Sequence, residues 1–255
     1  MISERDHGDG NYQGLDSDRD TKAEFETVLR LFPSVLTRRI EVEIDAGDDE
    51  EGQVQLVTCR YPIRFLALTA KAVSFLPLVA GLAIELGLFD EQQRGGLLCL
   101  VSRGNIVLHH LMMTDLHESQ KYHEIVDDKK LQVLIQLRKL GLLKKEDIKS
   151  YGLLSYLCQQ NNYFAEKRIR FLVEWDPSAL LHPDQRDVPL HYAIGGCPSP
   201  VIQRIQFVFE YGIHYFPKKK GISLLFKKNN HNRTPFQYAC MRFGGEKQAG
   251  LLNNC

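Results

Sequence analysis

The chain has 255 residues, 44% of them hydrophobic, enough for a sizeable buried core in one or two ordinary domains. Its six cysteines (Cys59, Cys99, Cys158, Cys197, Cys240 and Cys255) form no Cys-x-x-Cys pair, which argues against a zinc module or a redox motif and suits reduced thiols. Formal net charge is zero but uneven: fifteen acidic and seven basic residues precede Tyr61, whereas nine Lys or Arg face Glu210 and Glu246 from Ile202 onward.

In chain order, residues 1–22 are rich in Asp, Gly and Arg and predict a disordered tail with no signal peptide. The spacing of Phe25, Val28, Leu29 and Phe32 predicts a capping helix over 25–37. Residues 41–51 read as an acidic solvated loop. The apolar stretch from Ala72 to Phe89 is interrupted by Pro77, Gly81 and Glu85, so it predicts a buried helix instead of a membrane span. A soluble intracellular protein, cytoplasmic or nuclear, is the expectation.

From Tyr61 onward a hexapeptide recurs. Val188-Pro189-Leu190-His191-Tyr192-Ala193 and Thr234-Pro235-Phe236-Gln237-Tyr238-Ala239 are its strong copies, and weaker ones run over 61–66, 106–111 and 152–157. Aligned on Pro62, Val107, Leu153, Pro189 and Pro235, the copies are 45, 46, 36 and 46 residues apart. One residue past these anchors stand Ile63, Leu108, Leu154, Leu190 and Phe236. Four past them are Leu66, Leu111, Leu157, Ala193 and Ala239, and five past them Ala67, Met112, Cys158, Ile194 and Cys240. These columns share one side of a helix, the side that must bury, and make Cys158 and Cys240 small core residues. Longer companion helices are predicted over 76–86, 131–140, 165–175 and 201–211, several ending at a breaker such as Gly87, Gly141, Asp176-Pro177 or Gly212.

Pro189-Leu190-His191-Tyr192-Ala193 resembles the Thr-Pro-Leu-His-x-Ala signature of ankyrin repeats; Leu108-His109 is similar to it, and Thr234-Pro235 preserves its beginning. The segments 141–148, 171–177 and 216–230 look like the divergent, loop-rich ankyrin-repeat proteins expanded in diatoms. The resemblance covers about residues 25–243 and implies an all-α, ankyrin-like helix-turn-helix solenoid of about five divergent repeats. Because the copies are spaced more widely than a compact unit of about 33 residues, long insertions must separate them. The third copy departs from the pattern with Gly152-Leu153-Leu154-Ser155, and the last lacks a second helix over 234–255, as in a truncated relative of longer proteins. The resemblance also implies that His109 and His191 tie a turn to the neighbouring repeat through their ring nitrogens.

Three residues past the anchors stand Phe65, His110, Tyr156, Tyr192 and Tyr238, opposite the buried columns. In an ankyrin-like stack that side faces the concave groove, where aromatic rings supply contact area for a protein or peptide partner or stiffen the stack. Lys218, Lys219, Lys220, Lys227, Lys228 and Arg233 bracket an apolar pentapeptide and suggest a basic hairpin finger over 214–233, suited to an acidic partner or, alternatively, to nucleic acid. His109, His110, His117 and His123 with Asp115, Glu118 and Glu124 match no metal-ligand spacing, and no nucleotide or nucleophile motif occurs. The expectation is a non-enzymatic interaction scaffold with no cofactor. A nucleic-acid module and a fragment of a larger ankyrin-repeat protein are the alternatives.

Overall fold

The computed structural model describes residues 14–38, 40–44, 56–102, 104–114, 119–160, 163–184, 187–195 and 201–243. They are mostly helical, and none of their helices is long and apolar enough to cross a membrane. The chain divides into two compact units, Met1–Leu111 with Gln132–Leu142, and Met112–Leu131 with Leu143–Cys255.

In the first unit, α1 (Lys22–Leu31) starts at a capping box. Thr21 Oγ1 accepts from the Glu24 N–H (3.3 Å), and Glu24 Oε2 accepts from the Thr21 N–H (3.2 Å). Pro33 lacks the N–H a longer helix would need, so the predicted 25–37 helix instead ends at Leu31, and a 3-10 turn follows over Pro33–Leu36. The end of the expected tail is folded: the Ser17 N–H donates to Lys71 O at 2.8 Å. Residues 1–13 lie outside the described residues.

Part of the expected acidic loop is a strand. β1 (Ile40–Ile44) pairs antiparallel with β2 (Leu56–Arg60), and residues 45–55 lie outside the described residues. The alternation of Ile40, Val42 and Ile44 with Glu41 and Glu43 has the strand period, which a count of charges alone obscures. A second hairpin, β3 (Leu100–Ser102) with β4 (Asn105–Ile106), precedes α4.

Each of the five anchors is the first residue of a helix: α2 (Pro62–Leu68), α4 (Val107–Met112), α7 (Leu153–Gln159), α9 (Pro189–Gly195) and α12 (Pro235–Phe243). Proline suits that position because its fixed φ is helical and its missing N–H would have no partner there. Companion helices α3 (Leu76–Glu85), α5 (Gln120–Lys139), α8 (Glu166–Trp175) and α10 (Val201–Tyr215) follow. α5 begins well before the predicted 131, absorbing much of the polar insertion, and α6 (Lys145–Ser150) is a helix that periodicity did not mark.

The apolar columns account for the core. Ile63, Leu108, Leu154 and Leu190 are buried, as are Leu111, Leu157 and Ala193, and Ala67, Met112, Cys158 and Ile194. The fifth copy differs. Phe236 and Cys240 are exposed, so Cys240 is not the core residue its column implied. Among the described residues no helix follows α12 to cover that side.

Two glycines of the first unit give opposite predictions. Gly95 has φ +63°, and a Cβ there would overlap the Ala80 carbonyl oxygen; Gly81 lies in α3 with nothing within 4 Å of the Cβ position. Gly95→Ala should therefore lower unfolding free energy by at least about 2 kcal/mol. Gly81→Ala should raise it by about 0.5–1 kcal/mol. Urea titrations of both variants check the pair.

Candidate functional site: the ends and exposed faces of the motif helices

A helix leaves its first N–H groups without partners inside the helix. In three copies the side chain two residues past the anchor supplies one, accepting from the N–H of the residue before the anchor. His109 Nδ1 accepts from Ile106 at 3.0 Å, His191 Nδ1 from Val188 at 3.3 Å, and Gln237 Oε1 from Thr234 at 2.9 Å. Thr234 Oγ1 returns the bond by accepting from the Gln237 N–H (3.2 Å), completing a capping box. The third copy works differently: Gly152 precedes α7 at φ +58° with no side-chain cap, consistent with its departure from the signature.

His191 does more. Because its Nδ1 accepts, the neutral ring carries its proton on Nε2, which donates to Arg233 O at 3.1 Å. This bond reaches the segment just ahead of the next copy. Burial holds the His191 pKa below the ordinary histidine value. The same segment is fastened twice more: Lys227 Nζ donates to Leu181 O, and Asn229 Nδ2 to Asp187 Oδ1 at 2.7 Å.

The basic segment is therefore no hairpin finger. Its first residues belong to α10, and α11 (Lys219–Ile222) and a 3-10 turn (Ser223–Phe226) come next. A turn then follows in which Asn229 Oδ1 accepts from the N–H groups of His231 (3.0 Å) and Arg233 (2.9 Å). Lys218, Lys219, Lys220, Lys228 and Arg233 are exposed, whereas Lys227 is half-buried with its pKa lowered by desolvation. Lys220 Nζ lies 5.1 Å from the Phe216 ring centre.

The aromatic column divides between the units. In the first, Phe65 is half-buried, but His110 is buried, accepting at Nε2 from Arg64 Nε (3.2 Å), so it is no groove residue. In the second, α7, α9 and α12 pack in series, and Tyr156, Tyr192 and Tyr238 stand half-exposed at the same position of each. Tyr238 also packs edge-on against His191, with ring centres 5.6 Å apart. Burial raises the Tyr156 pKa.

Comparison with known proteins finds no matching family model, no matching curated protein and no matching solved structure.

Sequence reasoning missed the buried cations of the second unit. Arg168 and Arg204 are 1% and 0% exposed, and each stands fifteen residues past its own anchor. Each reaches back to a carbonyl at the end of the previous copy's motif helix: Arg168 Nη1 to Met113 O (3.3 Å), Arg204 Nη1 to Cys158 O (3.2 Å). Arg168 Nε also bonds buried Asp127 of α5, and Lys130 Nζ joins it on Met113 O at 2.9 Å. The fourth copy is treated alike, with Arg242 Nη1 donating to Ile194 O at 2.6 Å. A cation at a helix C-terminus opposes the partial negative charge there. Beside Asp127, buried His123 stacks on Tyr163, with ring centres 5.1 Å apart. Among the described residues no group of His, Cys, Asp or Glu is placed to hold a metal; Asp115, His117 and Glu118 lie outside them.

The His191 clamp gives a pH prediction. Its folded pKa lies below the unfolded value of 6.5, so the unfolded chain binds the extra proton first on acidification. The clamp's contribution is complete above pH 6.5 and lost as pH falls through 6.5 toward the lower folded value. Thermal unfolding from pH 8 to 5 should show that loss, and His191→Gln, whose amide can still cap Val188, should flatten the slope in that window.

Proposed function

We propose that the chain is an ankyrin-like helix-turn-helix repeat protein that serves as an interaction scaffold, docking an extended, acidic peptide across the motif helices of its second unit. The observation that carries this is the tyrosine series. Tyr156, Tyr192 and Tyr238 recur at one position of three helices packed side by side, half-exposed and therefore open to a ligand along one edge. Tyrosine suits such a surface, since it offers a large rigid contact face and a polar tip. The exposed Lys218, Lys219, Lys220 and Lys228 of the same unit favour a partner with carboxylates. The caps and clamps give the series a fixed spacing. The His191 bond to Arg233 O spans two successive copies, so the tyrosines are held in register before any partner arrives.

Peptides selected from a random library on the full chain provide the test. Tyr156→Ala and Tyr192→Ala should each weaken the best selected peptide by about tenfold, equivalent to about 1.4 kcal/mol, with the far-ultraviolet circular dichroism unchanged. Unchanged affinity in both variants, or unfolding of both, would remove the tyrosines from the binding surface. Changing Lys218, Lys219 and Lys220 together to Gln should reduce the salt dependence of peptide binding. Nucleic-acid affinity that falls steeply with salt and disappears in that triple variant, with no peptide selected, would favour the basic segment as a nucleic-acid contact instead.

A further inference from the structure

Arg168 and Arg204 occupy the same place in successive copies, yet they are satisfied differently. Arg168 has a carboxylate: its Nε bonds Asp127, itself 1% exposed, so the guanidinium has an acidic partner inside the protein. That carboxylate comes from the first half of α5, which is twenty residues long. The helix that precedes Arg204 in the equivalent role, α8, has ten residues, and its one acid in the first turn, Glu166, is exposed and paired with Arg170 at 2.5 Å. At the eighth residue, where α5 carries Asp127, α8 carries the buried apolar Val173.

Arg204 is wholly buried, with a single hydrogen bond from Nη1 to Cys158 O. Its Nε and Nη2 are shielded from solvent and have no hydrogen-bond partner. Burial disfavours the Arg204 cation, and Arg242, held on Ile194 O, adds a smaller repulsion of the same sign. The nearby Cys158 thiol supplies no negative charge, since burial pushes its pKa up to about 12. A guanidinium group in the interior with two unpaired N–H-bearing nitrogens makes a strong demand for an anion. The free edge of Arg204, Nε with Nη2, is the planar fork that receives two oxygens of one oxyanion.

We propose that Arg204 binds a small oxyanion, a carboxylate or phosphate group, in the role that Asp127 performs for Arg168. The bound anion completes the packing of α10 on α7 and α9. Because the fork is closed to solvent, exchange requires α10 to lift, and binding is linked to stability.

Thermal unfolding of the full chain tests this in sodium acetate, sodium phosphate and sodium chloride at matched ionic strength. The wild-type midpoint should rise by about 5 °C in the preferred oxyanion at a hundredfold excess over its dissociation constant, beyond the chloride control. A rise in acetate as well as phosphate assigns the site to carboxylates; a rise in phosphate alone assigns it to phosphate. Arg204→Met should melt higher than wild type in chloride, having lost an unpaired buried charge, and should show no oxyanion-specific rise. Equal shifts in wild type and Arg204→Met, or no difference among the salts, would overturn the proposal. Should Arg204→Met fail to fold, phosphorus-31 line broadening of inorganic phosphate by the wild type provides the second measurement. Broadening should weaken in Arg204→Lys and persist when Lys218, Lys219 and Lys220 are changed to Gln; the reverse pattern would place the phosphate on the surface lysines and refute the site.

Discussion

Everything in the second unit depends on finishing the ends of very short helices. α7 and α9 have seven residues each and α12 has nine, lengths at which an isolated helix does not form in water. At such lengths nearly every backbone group belongs to an end, so the unpaired N–H and C=O groups outweigh those bonded within the helix. The chain answers at both ends with side chains. His191 and Gln237 turn back to the N–H ahead of their anchors, while Arg204 and Arg242 come from later elements to the carbonyls at the far ends of α7 and α9. The first kind of bond is local and shapes one helix. The second crosses from one copy to the next, so the helices become stable by stacking.

This division explains what was legible in the sequence. Local signals were clear: proline at a helix start, an apolar column at helical spacing and a histidine two residues past the anchor each have one physical meaning, and all five motif helices begin at the residue the alignment chose. The companion helices were found for the same reason. β1 was missed because its period-two pattern is carried by alternating Glu and aliphatic residues, and the acidic run following it made the whole stretch look like a loop. The buried face of α12 was overcalled because a column shows which side a helix would bury, and only a neighbouring element determines whether it does. Phe236 and Cys240 keep the pattern without that neighbour.

The tyrosines, basic residues and buried arginines were legible to different degrees. Charge led the basic residues to be treated as one group, although Lys227 and the Arg233 carbonyl fasten the segment to α9 and its preceding turn, and Lys218 to Lys220 remain exposed. Nothing in residue type distinguishes a lysine that seeks a carbonyl from one that stays in water; the distance to a helix C-terminus does, and that is a tertiary fact. Arg168 and Arg204 did leave a trace. They share an offset from their anchors, so a column of charged residues at constant spacing was present beside the apolar ones. It was passed over because a charged residue within an amphipathic helix is ordinarily assigned to the solvent face.

Insertions between copies therefore affect more than loop length. The 36-residue interval between the third and fourth anchors leaves room only for a companion helix of ten residues, α8, whereas the 46-residue interval before it admits the twenty residues of α5. Apolar stacking tolerates that difference, because Ile169, Leu172 and Val173 of α8 are buried as Val126, Val133 and Leu134 of α5 are. Buried charge depends on residue type as well, since the eighth residue is Asp127 in α5 and Val173 in α8. Divergence between copies thus separates two requirements that a regular repeat meets together. Apolar residues are buried in α5 and α8 alike, while the ionic partner of the shared arginine position is present beside Arg168 and absent beside Arg204. Where a repeat keeps the cation and loses its acid, either the arginine is replaced by an apolar residue or an anion from outside the chain takes the acid's place. Arg204 has kept its guanidinium, and its free fork matches the second outcome.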